Sequence, residues 1–308
     1  MSTQNNETTY DTRRQIIFKR VMRYTFVYGI LTFFALLVII PFYWMILTSL
    51  MTPDKIASDI PIMFLRFRDM QFGNYYEAMF APEAPDFLRY MGNTVLVAAI
   101  STVGTIITTI LSAFAFARLQ FRFKELFFLL LIATMMIPGE MFVITNFITV
   151  SRFGWVEMVD QQYYHAVLAM TLPFMTSIFY IFFLRQTFKQ IPNELYYAAK
   201  VDGTKDFQYL WKIMVPIARP TIITILILNA MGTWNAYIWP NLVSTRPAYN
   251  LVSNGLREFA TAIEFLPQEE YIGQQMAAAF VITFPILVVF FLLKKHIMRG
   301  VSRSGIKG

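Results

Sequence analysis

The chain contains no cysteine. That excludes a disulfide frame, a thiolate metal site and a cysteine nucleophile. Its two histidines, His165 and His296, are too far apart in sequence for a histidine-based metal centre. Charge is scarce: 15% of the 308 residues are Asp, Glu, Lys or Arg, against about 25% in soluble domains. Also missing is a Gly-x4-Gly-Lys-Ser/Thr run, so the chain has no phosphate-cradling loop of its own. Gly203-Thr204-Lys205 lacks the upstream glycine and the required order. No Pro/Gly/Ser-rich linker divides the sequence, which reads as one integral membrane domain.

What the chain has is apolar length. It is 56% hydrophobic and 17% aromatic. A membrane-crossing helix needs about 20 apolar residues at 1.5 Å rise each. Charge-free runs of that order occur at Tyr24–Pro53, Tyr90–Ala117, Ala166–Leu184, Pro220–Thr245 and Tyr271–Leu293. A sixth, Leu126–Val150, is interrupted only by Glu140 beside Pro138-Gly139. The expectation is an all-α membrane protein with six transmembrane helices. The first run is too long for a signal-peptide core, and no clean cleavage site follows it, so it reads as an anchor.

The net charge of +7 is distributed in short clusters at the ends of apolar runs, not in one patch, which argues against nucleic acid. Placing the N-terminus inside puts 19 of the 26 basic residues in the cytoplasm and 12 of the 19 acids outside. By the positive-inside rule both termini are then cytoplasmic. Residues 1–23 form a cytoplasmic segment: Met1–Asp11 is polar and expected to be disordered, and Arg13–Tyr24 reads as an interfacial amphipathic helix. Residues 24–299 form the membrane domain and residues 300–308 a cytoplasmic tail. Trp44, Trp155, Trp234 and Trp239 lie towards span ends, where membrane lipid is met by aromatic belts.

The cytoplasmic stretch between the fourth and fifth spans, residues 187–216, is the most informative. Pro192, Asn193 and Glu194 open a helix. Tyr196 to Ala199 propagate it, and Gly203 permits a sharp turn. A second helix, Lys205–Val215, then carries Phe207, Leu210, Trp211 and Met214 on one stripe. Pro216 and Pro220 break it. Ala199 and Gly203, one helical turn apart, read as small residues presented outward for close approach by another body.

These residues resemble the EAA loop of ABC importer permeases. That pattern is Glu-Ala-Ala, three residues, Gly, nine residues, Ile, one residue, Leu-Pro. Here it reads Ala198-Ala199, Gly203, Ile213 and Val215-Pro216 at the same spacing. Tyr197 stands where the family has glutamate, and the resemblance leaves that role to Glu194 or Asp202. Asn93-Thr94-Val95, Trp234-Asn235, Trp239-Pro240 and the tail from Gly300 to Gly308 are similar to the carbohydrate-uptake branch, of the maltose-permease G-like or multiple-sugar G-like kind. The resemblance implies a type I importer permease in a bacterial inner membrane. It implies a second, F-like permease, a dimeric ABC ATPase holding ATP and Mg, an extracytoplasmic solute-binding protein and a sugar substrate. This chain itself would bind no cofactor or metal and have no catalytic residue. Glu194, Tyr197, Ala198, Ala199, Asp202, Gly203 and Pro216 would couple to the ATPase, and Gly305, Lys307 and Gly308 would dock against it.

Six residues are candidates for the substrate pathway. Glu140 is the one carboxylate well inside a span, and such groups face a cavity or partner; its alternative is a helix break at Pro138-Gly139. Asn146, six residues on, is one of its few polar companions. Asn229, Trp234, Asn235 and Tyr237 combine amides with aromatic faces, as sugar recognition requires; their alternative is glue between helices. The outer loop Asn241–Gln275 holds Asn250, Asn254, Arg257 and Glu258, reading either as a surface towards the binding protein or as a solvated lid. Importers of another small solute, a membrane-embedded glycan or lipid enzyme, and an ion-coupled transporter are the competing functions. The last two want a catalytic cluster or several intramembrane charges.

Overall fold

A computed structural model describes residues 3–58, 60–81, 84–157, 160–262 and 268–302, all helix, turn and loop, with no strand among them. The chain divides into two compact units, Met1–Tyr75 with Pro267–Phe280 and Tyr76–Leu266 with Val281–Gly308.

In the first unit, α1 is a single helix, Thr3–Ser49. It runs straight through the expected boundary at residue 23, and the polar start expected to be disordered is helical from Thr3. The physical reason is that no proline or glycine precedes Gly29, so a helix nucleated in the apolar run extends backwards at small cost per residue. Helix α2, Gly73–Phe80, begins in this unit with Asn74. Its buried amide donates to the carbonyls of Ser49 and Met51, both at 3.0 Å, meeting carbonyls that the end of α1 leaves open. A Cβ at Gly273 would come within 2.6 Å of the Asn74 amide, so glycine is what lets the two chain segments meet.

In the second unit, α3, Phe87–Ala117, is the central post. Then come α4, Lys124–Thr134, and α5, Val143–Arg152. They are followed by α6, Tyr163–Thr171, α7, Ile178–Lys189, and α8, Asn193–Val201. Helix α9 covers Asp206–Ile217; α10 is Arg219–Trp234, α11 Ile238–Val243 and α12 Val252–Ala262. The last helix, α13, is Gln268–Ser302, which belongs to the first unit up to Phe280 and to the second from Val281; it passes through Pro285 and beyond the expected domain end at residue 299. Gly305, Lys307 and Gly308, the expected tail contact, lie outside the described residues.

Among the described residues three helices are long and apolar enough to cross a membrane alone: Phe18–Ser49, Phe87–Ala117 and Tyr271–Lys294. Three bent pairs bring the total to six if each is one span. The third expected run is bent by 91° between Lys124–Thr134 and Gly139–Arg152, at the Pro138-Gly139 break read from sequence. The fourth, Ala166–Leu184, is not one rod: Pro173 and Ser177 interrupt it, and its halves meet at 51°.

Carbonyls freed inside a bilayer must be met by protein. At that second break Thr105 of α3 donates to the Phe174 carbonyl and Thr108 to that of Met175. Gly104 makes room: a Cβ there would lie 2.6 Å from the Met175 sulfur. The fifth run is helical as α10 and, after a break at Asn235–Tyr237, as α11.

Candidate functional site

The loop after α7 folds as the sequence predicts, a helix–turn–helix. Helix α8 ends in a Schellman cap: Thr204 N–H donates to the Ala199 carbonyl at 2.9 Å and Gly203 N–H to that of Lys200 at 3.0 Å. This closure requires the left-handed backbone at Gly203, φ 74°. Nothing lies within 4 Å of a Cβ built there, so the requirement is conformational and not steric. The four-residue step from Ala199 to Gly203 that the motif preserves puts the glycine at the left-handed position this helix end requires.

A clasp holds the turn. Asp206 accepts from Tyr196 Oη at 2.8 Å and lies 2.7 Å from Lys200 Nζ. The Lys200 ammonium first, then the Tyr196 hydroxyl, hold the Asp206 carboxyl below its ordinary value. The same bond to Asp206 raises the Lys200 ammonium above its own.

Three expectations about this loop are corrected. Ala199 is buried, 6% exposed, in a core with Leu184, Phe188, Tyr209, Leu210 and Met214. Its small side chain therefore serves packing within the chain and not approach by a partner. The apolar stripe of α9 also divides: Leu210 and Met214 face the core while Phe207 and Trp211 are exposed, ring to ring at 6.0 Å. Nor does Pro216 end the helix. A π turn at Leu210–Met214 widens the backbone just ahead of it, which relieves the clash its ring would make with the Lys212 carbonyl. The 80° bend falls at Ala218, and Pro220 sits in the first turn of α10.

What the elbow presents outward is Glu194, Tyr197, Ala198, Val201, Asp202 and Gly203, all exposed. Val201 is 88% exposed.

The elbow is bolted to the membrane helices by an arginine that the sequence reading used only to count charge. Arg118, 6% exposed at the end of α3, donates to the carbonyls of Phe188 and Ile191 and to the Asn193 side-chain oxygen. Arg185, on α7 and 4% exposed, donates to both oxygens of Glu125 at 3.0 and 2.8 Å and to the Phe116 carbonyl at 3.1 Å. Its guanidinium carbon lies 3.6 Å from the centroid of the Phe128 ring. The signal in the sequence was an arginine closing an aromatic run, Tyr180 to Leu184, with one acid among the basic residues after the second span.

The pathway candidates do not converge. Asn229 donates to Thr102 Oγ1 of α3 at 3.1 Å, the bridge between helices weighed as its alternative. It also lines a cavity of about 260 Å³ with Ser101, Tyr180 and Trp239. Trp234 lines a separate, apolar cavity beside Pro285, and Asn235 bonds the Met231 carbonyl of its own helix at 2.9 Å. Tyr237 borders a third, polar cavity. Glu140 stands exposed in the tight turn Gly139–Phe142, and Asn146 is half-buried on α5. Helix α4 has 11 residues and rises roughly 16 Å, about half a bilayer core, before that turn. Trp239, expected in an aromatic belt, is instead buried and donates to the Ala169 carbonyl at 3.0 Å.

At the opposite end of α3, Asn93 donates to the carbonyls of Ala248 and Asn250, both at 3.0 Å, and accepts from Tyr163 at 2.8 Å. Thr94 accepts from Val252 N–H at 2.9 Å. The Asn93-Thr94 pair thus pins the loop that leads into α12. Gln161, almost fully buried, bridges Trp155, Val243 and Thr245.

Residues 106–303 match the family model described as "Binding-protein-dependent transport system inner membrane component". The chain is 30% identical, over 91% of its length and 87% of the relative, to a protein of Mycoplasma pneumoniae named a probable ABC transporter permease. It is 28% identical to the lactose transport system permease protein LacG of Rhizobium radiobacter, over 90% of this chain and 94% of that one. It is also 28% identical to the sn-glycerol-3-phosphate transport system permease protein UgpE of Brucella suis, over 87% and 92%. A solved bacterial ABC transporter that imports the polysaccharide alginate superposes with a TM-score of 0.72 at 22% identity, covering 89% of this chain and 97% of its own. That likeness is one of fold.

Proposed function

This chain belongs to the binding-protein-dependent transport system inner membrane component family, and from that membership we propose that it forms one half of the pathway of an ATP-driven importer of sugars or oligosaccharides. The observation that carries the reading is the elbow α8–α9: exposed on one side, and on the other fused through Arg118 and a shared core to α3, α7 and α10. A push on its outer face moves membrane helices because no compliant joint intervenes.

ATP and Mg belong, in this reading, to a dimeric ATPase that docks on Glu194, Tyr197, Ala198, Asp202 and Gly203. Closure of that dimer rocks this chain against an F-like partner permease and alternates access to the solute. Exposed Glu194 and Asp202 supply the negative charge that Tyr197 does not. A solute-binding protein delivers cargo at the outer face, and both termini lie in the cytoplasm of a bacterial cell whose inner membrane holds the complex. Sugar as cargo draws on the relative named for lactose; the relative named for sn-glycerol 3-phosphate keeps another small solute as the second reading.

The test is uptake into proteoliposomes holding the complete complex. ATP-dependent accumulation of labelled lactose, maltose or raffinose supports the sugar reading. Accumulation of sn-glycerol 3-phosphate and none of the three sugars moves the chain to the second.

A further inference from the structure

Between α11 and α12 lies a cavity of about 400 Å³, within the range of small-molecule sites. It differs from the other two in its chemistry. Asn241, Asn250, Asn254, Arg257 and Glu258 line it, with Tyr237 at its edge, and no aliphatic side chain takes part.

Asn254 is the residue that points to a ligand. It is 3% exposed, so the expectation that this stretch is merely a solvated lid does not hold for it. Its amide nitrogen donates to Asn241 Oδ1 at 3.2 Å and to the Tyr237 carbonyl at 3.4 Å. Its Oδ1 is buried and has no partner among the described residues. A buried acceptor left unmet carries its full desolvation cost, and a carboxamide oxygen has two lone pairs to satisfy. An incoming hydroxyl group removes that cost.

The surroundings narrow the ligand. Asn250 donates to Glu258 Oε2 at 3.2 Å, which fixes a carboxylate as a second acceptor at the wall. Arg257 supplies donors, and its charge cancels that of Glu258. Tyr237 adds an aromatic residue to the lining, the side-chain type on which the C–H side of a sugar ring stacks. A neutral polyol satisfies donors and acceptors together, since each hydroxyl is both. A phosphate ester has only acceptors at its charged end and meets Oδ1 and the Glu258 carboxylate unfavourably. An apolar solute leaves every group unmet.

We propose that the cavity between α11 and α12 is a binding site for a neutral sugar ring, with Asn254 Oδ1 accepting one of its hydroxyls. This rests on the importer reading and places a sugar site within this chain, remote in sequence from the ATPase elbow.

The absence of cysteine from this chain supplies the probe. Thr261→Cys, exposed at the end of α12 and on the cavity wall, is labelled with a maleimide in the purified transporter complex. Lactose, maltose or raffinose at millimolar concentration slows labelling, and sn-glycerol 3-phosphate does not. Asn254→Leu in that background raises the protecting concentration about fivefold, the loss of one hydrogen bond. Glu258→Gln, at an exposed position that tolerates the change, does so to a similar extent and covers the case in which Asn254→Leu misfolds.

Protection by none of the three sugars, or equal protection by the phosphate ester, overturns the site. Uptake of a sugar by the same complex without protection at Thr261→Cys removes this site and leaves the importer reading standing. Failure of uptake for all three sugars removes the sugar reading on which the site rests.

Discussion

The guanidinium of Arg118 donates to the side chain of Asn193, so the end of one membrane helix holds the first residue of α8. The same group meets the carbonyls of Phe188 and Ile191. One fork thereby fixes three chain segments, and lysine, with a single ammonium, cannot reproduce its geometry.

Replacing Arg118 with Ala takes the Arg118 donor from the Ile191 carbonyl and leaves the Phe188 carbonyl only the Ile191 N–H, at about 1–3 kcal/mol for a buried acceptor before water enters. The expected outcome is a complex that hydrolyses ATP with a severalfold lower yield of solute transported per ATP. Arg118→Lys is expected to fall between Ala and wild type. Paired measurements of hydrolysis and uptake in proteoliposomes decide it; an unchanged ratio would separate Arg118 from coupling.

At Gly203 a side chain has room but the wrong backbone. Gly203→Ala is expected to cost about 1–2 kcal/mol and to speed amide exchange at Gly203 and Thr204, whose N–H groups close the cap. Gly203→Asn costs less, because asparagine visits the left-handed region. Identical exchange in all three proteins would contradict the capping role.

The Asp206 clasp has a defined pH window. Its carboxyl is depressed, so its stabilisation is complete above the unfolded value of about 3.9 and fades as pH falls through the folded one. The Lys200 ammonium is raised, so its share is complete below about 10.4 and fades as pH climbs past that. Through the neutral range the turn is therefore insensitive to pH. Asp206→Asn is expected to loosen it at neutral pH and to match wild type only in acid, as read from the protease sensitivity of the loop against pH.

Asn229 and Thr102 form one bridge between α3 and α10. Asn229→Ala and Thr102→Ala are each expected to lower thermal stability, and the double variant little further, with a coupling of about 0.6 kcal/mol. Asn235→Ala, which removes only a bond within its own helix, is expected to leave stability near wild type. Additive effects at Asn229 and Thr102 would dissolve the bridge.

The helical class, the three long spans, the Pro138-Gly139 bend and the turn at Gly203 were legible because proline, glycine and unbroken apolar length act locally. Arg118 and Arg185 were not. Their meaning depends on carbonyls 69 to 73 residues away, and nothing in a local window says which helix end an arginine will meet. Ala199 misled for the same reason: a small residue marks close approach, and only the fold shows that the approaching body is α9 of the same chain. The Thr105 and Thr108 contacts sit in an apolar run where threonine looks like filler. Asn229, Trp234 and Tyr237 look like one cluster along the sequence; helix geometry and the break at Asn235 deal them to three separate cavities.

The central claim is that the outer face of the α8–α9 elbow is where an ATPase grips this chain. Val201→Cys, in a protein otherwise free of cysteine, places a thiol on that face. A short bifunctional crosslinker applied to the complete complex is expected to join this position to the ATPase, with a yield that changes between nucleotide-free and ATP-bound states. A thiol at Val201 that reacts freely with maleimide yet never captures the ATPase in either state would contradict the account.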